Sequence, residues 1–547
     1  SGKKSTTGKP LLANDPHLAL QIPSIWYENH LHSPNFQVTG VTFPGVPGVI
    51  IGYNSSIAWG LTNAFPDVQD LYIEKVPENN PDYYLENNSP QKFEKIVEII
   101  DVKGEQPHEE EVLLTSRGPL ISKWLPDAKR SLSMQWTALE PGILMKSIID
   151  LNRASNWEEF KEALKFFSVP AQNFVYADTA GNIGYVMAGK VPLRKKGKGL
   201  LPVPAWTGEY GWVGYIPFER LPRSFNPPEG YIVTANNKVT GNEYPYFIST
   251  SWMSGYRAFR ITELLRSREK FSISDFKKFQ GDLFSHPARE MREHLLKIEP
   301  KTPLEERILK KMDNWDLNLT PESPEAAVFE VFQYKMAENT FSDEMQELTP
   351  FFIGKGITAV NPTNSFIGRS FQVLRKLMKD EQNHWFDIKD TPKREDLHRI
   401  MRRSFDQTIT FLKQNMGKNP DLWEWGKIHR IIFVHPLGLV KPMNYIFNKG
   451  PFPLGGDTNT IFQAAYAPGE PYDAKAFVAS YRQIIDLSDL DNSISINTTG
   501  QSGLVGSTHY DDMIDSWLNM KYHPMIMNSE VIRKISSFKL NLIPVEN

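Results

Sequence analysis

The sequence predicts an α+β fold in which strands from both ends of the chain build antiparallel sheet and a long helical stretch interrupts them. Three patterns predict it: β-branched and aromatic runs bounded by Gly, Pro and Asn before residue 135, charged text of helical spacing over 261–425, and strand-like text again after Trp425. The 547 residues are too many for one simple core, yet no low-complexity linker divides them. One large domain is therefore expected over 1–547, with 1–260 and 426–547 forming sheet with flanking helices and 261–425 mainly helical.

The elements follow in order. "KPLLAND", "FQVTGVTFPGVPGVIIGY" and "SIAWGLTN" read as stacked strands with tight turns. "DLYIEKV", "KFEKIVEIIDVKG" and "EEEVLLTSRGPLIS" alternate polar and apolar residues, the mark of a half-exposed meander. "SIIDLNRASNWEEFKEALKFF" has helical spacing, with Asn156 placed to start a helix at Trp157. "NFVYADTAGNIGYVMAG" reads as a hairpin turned at Ala180, Gly181 and Asn182. "ITELLRSREKF", "AREMREHLLKI" and "KREDLHRIMRRSFDQTITFLKQN" are helical, and "TIFQAAYAP", "FVASYRQIIDL" and "SISINTTGQSG" are strand-like. No repeat of roughly 20 to 50 residues is present.

Composition excludes several functions. A formal charge of −3 gives no footprint for nucleic acid or anionic lipid. The longest apolar runs, "VPGVIIGY" and "RIIFVHPLGLV", fall short of the roughly 20 residues that a spanning helix needs. Without cysteine there is no disulfide, thiolate nucleophile or zinc–thiolate site.

Single motifs are weak. "GYVMAGKV" nearly matches a phosphate loop, but Val191 stands where a hydroxyl must meet magnesium, so it reads as an ordinary hairpin edge. His30 and His32, and His429 and His435, lack the spacing of a zinc-binding helix pair. The carboxylates beside tryptophan in "DLWEWGK" and "NWEEF" are commoner as helix surface than as a glycan-cleaving pair. "ANDPHLAL" gathers Asn14, Asp15 and His17 at a strand end, which alone reads as a capped turn.

The order of further landmarks changes that reading. "FPGVPGVIIGYNSSIAWGLTNAFPDVQDLY", "YADTAGNIGYVMAG", "LLPVPAW", "GYIVTANNKVTG", "GYRAFRITELL", "WEWGKIH", "GGDTNT" and "GQSG" follow "ANDPHLAL" in register. Together they resemble the large β subunit of the penicillin acylase family of N-terminal-nucleophile hydrolases, from Thr7 to Gly503.

The resemblance implies a four-layer αββα sandwich of two antiparallel sheets with a helical insertion. It implies hydrolysis of N-acyl amides by acyl transfer to an N-terminal serine, whose own α-amine, of ordinary pKa about 8, serves as the local base. It implies Asn63 (backbone N–H) and Asn236 (side-chain amide) as oxyanion donors, His17 as a residue that orients the amine, and Arg260 as a support behind the site. Each of these residues taken singly also fits a structural role, as a turn cap or half of an ion pair. The acyl pocket maps to Leu18, Ile51, Leu61 and Ile148, an aliphatic set that favours alkyl over phenylacetyl groups. No cofactor is required. A structural calcium is matched by Asp67 and Asp70, while the further carboxylate expected near Phe247 to Thr250 is missing. The implied partners are a small α subunit from the same precursor and a small N-acyl amide, with no nucleic acid and no membrane span. The implied location is extracellular or periplasmic.

Ser1 tempts as that nucleophile. The family's nucleophile, however, lies on a strand that pairs with "KPLLAND" through a turn, and "KKSTTG" is that turn. The nucleophile is therefore expected about six residues upstream of Ser1. The runner-up is an N-acyl-homoserine lactone or acyl-peptide amidase on the same machinery; a further alternative, from a different class, is a non-catalytic, aromatic-rich binding relative, since Phe, Trp and Tyr make up 12% of the chain.

Overall fold

The computed structural model describes residues 1–125, 128–357, 361–389, 391–469 and 472–543. Two antiparallel sheets face each other. The larger has seven strands in the order Arg223–Phe225, Ile183–Ala188, Gln172–Asp178, Ile57–Asn63, Ile51–Asn54, Phe36–Thr42 and Tyr27–Ser33. The smaller has four, in the order Leu11–Asn14, Tyr481–Asp486, Ile494–Asn497 and His523–Pro524. Strands near the start and end of the chain thus pair directly, Leu12 opposite Ile485 and Asn14 opposite Gln483.

Alternation along the strands sends one set of side chains between the sheets. Leu12, Ile485 and Leu487 from the smaller sheet meet Tyr53, Ala58, Ala177 and Ile183 from the larger. The sheets come closest at Gly60, where a Cβ would lie 2.6 Å from Asn14 Cβ. On its other face the larger sheet carries helix Trp157–Leu164, whose Phe160 and Leu164 pack with Phe174, Tyr176 and Val186. Asn156 caps that helix, accepting from Glu159 N at 3.1 Å. Beyond the smaller sheet, buried Arg482 donates to Trp517 O of helix Ile514–Leu518 at 2.9 Å.

The hairpin over 172–188 turns because Asp178 Oδ1 accepts from Gly181 N and Asn182 N, both at 2.8 Å. The helical stretch centres on Pro324–Met345, which is buried around most of its circumference, polar Glu330, Gln333 and Asn339 included, and packs with Leu397–Met416. Ser323 and Asp396 cap these two helices through Ala326 N and Arg399 N.

One expected strand does not form. "TIFQAAYAP" makes a single bridge, Ala464 with Val478, and otherwise runs as buried coil. Its backbone finds mixed partners: Thr460 N donates to Asp457 Oδ1 at 2.8 Å and Thr460 Oγ1 to Phe462 O at 2.8 Å, while Phe462 N reaches Asp282 O at 3.0 Å and Ala465 N reaches Phe477 O at 2.9 Å. A side-chain cap and scattered long-range bonds stand where a continuous ladder was expected. No described helix is long and apolar enough to cross a membrane.

Candidate active site

The site forms where the strand Leu11–Asn14 ends against the strand Ile57–Asn63. Asn14 spans the two sheets: its Nδ2 donates to Leu61 O at 2.9 Å and its Oδ1 accepts from Leu61 N at 3.2 Å. This buried amide-to-peptide pair leaves neither partner wanting, and it fixes the height of the next residues, Asp15 to His17, over the end of the larger sheet.

Asn63 closes its strand opposite Gln172. Its neighbour Ala64 donates to Ala171 O, so Asn63 belongs to a pair that exchanges no ladder bonds, and its N–H and C=O point away from the partner strand. Asn236 approaches that side, Nδ2 donating to Asn63 O at 2.9 Å. The Asn236 backbone has φ of +61°, the left-handed region that asparagine tolerates better than most residues. Such strain is held by surrounding bonds: Met253 N donates to Asn236 O at 3.0 Å, and Arg257 Nη2 donates to Asn236 Oδ1 at 2.7 Å. The arginine therefore fixes which end of the amide faces Asn63. One Nδ2 hydrogen serves Asn63 O, and the second remains for a ligand.

Arg257 also reaches His17, Nη1 to Nδ1 at 3.3 Å, while His17 Nε2 meets Asp15 Oδ2 at 3.1 Å. A guanidinium only donates, so Nδ1 is the acceptor and the ring proton sits on Nε2, directed at Asp15. Burial holds His17 below its ordinary pKa, against the pull of Asp15. The imidazole is neutral with both nitrogens engaged, an orienting group rather than a free base. Burial lowers Arg257 to about 10, with Asp15 and Asp457 opposing, so it stays charged near neutrality.

Arg260 lies elsewhere. It donates to Asp282 from Nε at 3.1 Å and Nη2 at 2.8 Å, and lies over the Phe284 ring. Arg257, one turn earlier on helix Tyr256–Arg266, is the arginine bonded to Asn236 and His17. Residues three apart lie on neighbouring parts of a helix face, and the first-turn position keeps Arg257 beside Met253 and the Asn236 loop. In "GYRAFR" both arginines are candidates, and only the fold shows which of them faces that loop.

Leu18, Ile51 and Leu61 gather in one apolar cluster with Trp26 and Phe43. Ile148 stands on helix Leu144–Arg153 close to Gly48, where a Cβ would lie 3.0 Å from Ile148 Cγ2.

Asp67 and Asp70, which the resemblance matches to a structural calcium, are both bonded to one guanidinium. Arg194 fills the space between them, Nη2 donating to Asp67 Oδ1 at 2.8 Å and Asp70 Oδ1 at 2.6 Å, and Nε to Asp70 Oδ2 at 2.9 Å. Calcium needs several oxygens turned toward one point. Here the oxygens face a guanidinium, and among the described residues no group of three or more His, Cys, Asp or Glu could hold a metal.

Ser1 is not bonded to this constellation. Its α-nitrogen donates to Gly230 O at 2.9 Å, and its buried Oγ has no hydrogen-bond partner. Its bonds reach neither Asn236 nor His17. Between Ser1 and the site runs a groove. Ser1, Lys4 and Gly230 line it together with Leu11, Ala13, Val175, Ile232 and Leu265, and it extends to Asp15, Thr62 and Thr234. One wall is the strand Leu11–Asn14, which pairs with Tyr481–Asp486 on one edge only. Pro10 O and the residues alternating with it bond to that partner, so the N–H and C=O of Leu11 and Ala13 point into the groove.

The comparisons with known proteins agree in kind. The chain is 30% identical over 558 residues to an acyl-homoserine lactone acylase, QuiP, of Pseudomonas aeruginosa, covering 95% of this chain and 65% of that protein. It is 28% identical over 550 residues to the penicillin acylase 2 proenzyme of a Pseudomonas species, covering 99% of this chain and 68% of that protein. The chain thus spans about two thirds of the length of these relatives. The solved penicillin G acylase of Alcaligenes faecalis superposes with a TM-score of 0.76 at 22% identity, over 100% of this chain and 99% of that one. The family model described as penicillin amidase matches residues 1–534, and the chain belongs to that family.

Proposed function

We propose that this chain carries the catalytic face of an amidohydrolase that cleaves N-acyl amides by acyl transfer to an N-terminal serine. The observation that carries the proposal is the pairing of Asn236 Nδ2 with the exposed end of strand Ile57–Asn63, held by Arg257, at the end of the groove beside strand Leu11–Asn14. In this reading the two facing sheets with helices on both outer faces are the αββα sandwich of N-terminal-nucleophile hydrolases.

The serine sits about six residues upstream of Ser1, on a strand that fills the groove and pairs with the free edge at Leu11 and Ala13. Gly8 N donates to Ser5 O, and a hairpin of that register sets such a residue opposite Pro16 to Leu18, beside His17. The serine's α-amine takes the hydroxyl proton as Oγ attacks the acyl carbon. The oxyanion receives hydrogen bonds from Asn63 N–H and the second Asn236 Nδ2 hydrogen. His17, neutral and fixed by Asp15 and Arg257, holds the amine in line. The amine then protonates the leaving nitrogen, and water releases the acyl group from Oγ. A small α subunit from the same precursor completes the acyl pocket, and the enzyme acts outside the cytoplasm.

The set Leu18, Ile51, Leu61 and Ile148 presents aliphatic surface, and the rings of Trp26 and Phe43 in the same cluster are stacked on each other, so alkyl acyl groups are favoured over phenylacetyl. N-acyl-homoserine lactones and aliphatic penicillins are the substrates proposed in this class, and the name of the acyl-homoserine lactone acylase relative supports the first of them. Side-by-side kcat/KM values are expected to be highest for a medium alkyl amide. A higher value for penicillin G than for every alkyl amide tried would refute the preference, and no turnover of any acyl amide would favour a non-catalytic relative.

A further inference from the structure

We infer that Arg194 is a built-in cation that does the work of a structural metal for the segment from Asn63 to Asp70, making the enzyme independent of calcium and positioning the Asn63 oxyanion donor. Its part concerning Asn63 rests on the function proposed above, and its part concerning calcium does not.

Three features argue for a cation site rather than an ordinary ion pair. The guanidinium is buried to 4% side-chain exposure and holds both carboxylates at once, with Asp67 O as a further acceptor at 3.1 Å. Asp70 is shared with Trp212 Nε1 at 2.9 Å, so each Asp70 oxygen has a partner. The chain closes over the pair at Gly199, φ +73°, where a Cβ would lie 2.2 Å from Asp70 Oδ1. Where a further carboxylate was expected, Phe247 lies with its ring 5.9 Å from the guanidinium carbon. Phe247 offers a ring to an organic cation and no oxygen to a metal.

The consequence for the site is mechanical. Asp67 lies just beyond Asn63, its own N–H bound to Ile248 O at 2.8 Å, and strand Gln69–Ile73 follows at once. Arg194 comes from the separate strand Pro192–Arg194, paired with Trp212–Tyr215. Its fork ties the loop after Asn63 to that hairpin, with the rigidity and bidentate geometry that lysine lacks.

The test measures melting temperature and steady-state kinetics of the full processed enzyme, with EDTA and with millimolar calcium, for the wild type and Arg194→Ala. The wild type is expected to melt at the same temperature in both. Arg194→Ala is expected to melt several degrees lower, to regain part of that loss with calcium but not with sodium at equal ionic strength, and to show a several-fold lower kcat at little-changed KM while fully folded. A wild type stabilised by calcium, or an Arg194→Ala variant with unchanged melting or with a loss that calcium leaves untouched, would overturn the inference. The wild-type arm decides even where Arg194→Ala does not fold, and Arg194→Lys then supplies the second arm: folded, less stable than wild type, and indifferent to EDTA. An enzyme that hydrolyses no amide would end the proposed function while the melting data still judged Arg194.

Discussion

At the scale of residues, the site is an amide held at both ends. Asn236 is turned by Arg257 so that Nδ2 faces Asn63. Asn236→Ala removes one oxyanion donor and is expected to lower kcat about hundred- to thousandfold with KM little changed, read by initial rates on an alkyl amide. Arg257→Lys keeps the charge but not the fork, leaving Asn236 and His17 without their shared donor. A roughly tenfold or greater fall in kcat is expected. Arg260→Lys should cost far less activity, because Arg260 spends its hydrogen bonds on Asp282 and Glu263. Similar losses at both arginines would contradict the geometry. That Asn63, Asn236 and His17 lie together was legible in the flanking motifs of the resemblance, and the structure joins them through Asn236 and Arg257. The choice between Arg257 and Arg260 was not, since it depends on which side of one helical turn faces the Asn236 loop.

At the scale of elements, the strands Leu11–Asn14 and Ile57–Asn63 meet with no room to spare. Gly60→Ala would press a methyl group into Asn14, 2.6 Å from its Cβ, and part the amide from Leu61. A loss of about 1–3 kcal/mol is expected in denaturant unfolding, accompanied by lost activity. A variant as stable and active as wild type would show the sheets to be less tightly apposed there. Period-two and helical patterns made most elements readable, and Asn156 announced its helix by side-chain chemistry alone. "TIFQAAYAP" misled because buried coil and buried strand share an apolar composition; its fate is set by the Asp457 cap on Thr460 and by bonds to Asp282 and Phe477, partners that periodicity does not record.

At the scale of the molecule, a histidine is buried against the core of the helical part. His429 stacks on Trp425 with ring centroids 4.5 Å apart and bonds Tyr472 O through Nδ1 at 2.6 Å. Burial holds it down to about 4. An imidazole near its usual value binds a proton in the unfolded chain before it does so in the fold, so this contribution is complete above about pH 6.5 and is lost as pH falls toward 4. The difference is worth on the order of 3 kcal/mol, and His429→Gln is expected to flatten the fall of melting temperature over that window. An unchanged acid slope would remove His429 from the account. The central claim also belongs to the whole molecule, because the groove, the free strand edge and the Asn236 site have one purpose only if a strand bearing the nucleophile joins them. Its most direct test is to label the processed enzyme with a serine-directed sulfonyl fluoride and identify the modified residue by peptide mass. The account predicts a label on an N-terminal serine about six residues before Ser1, absent after prior acylation by substrate. A label on Ser1 itself, or full amide hydrolysis with no N-terminal serine modified, would contradict it.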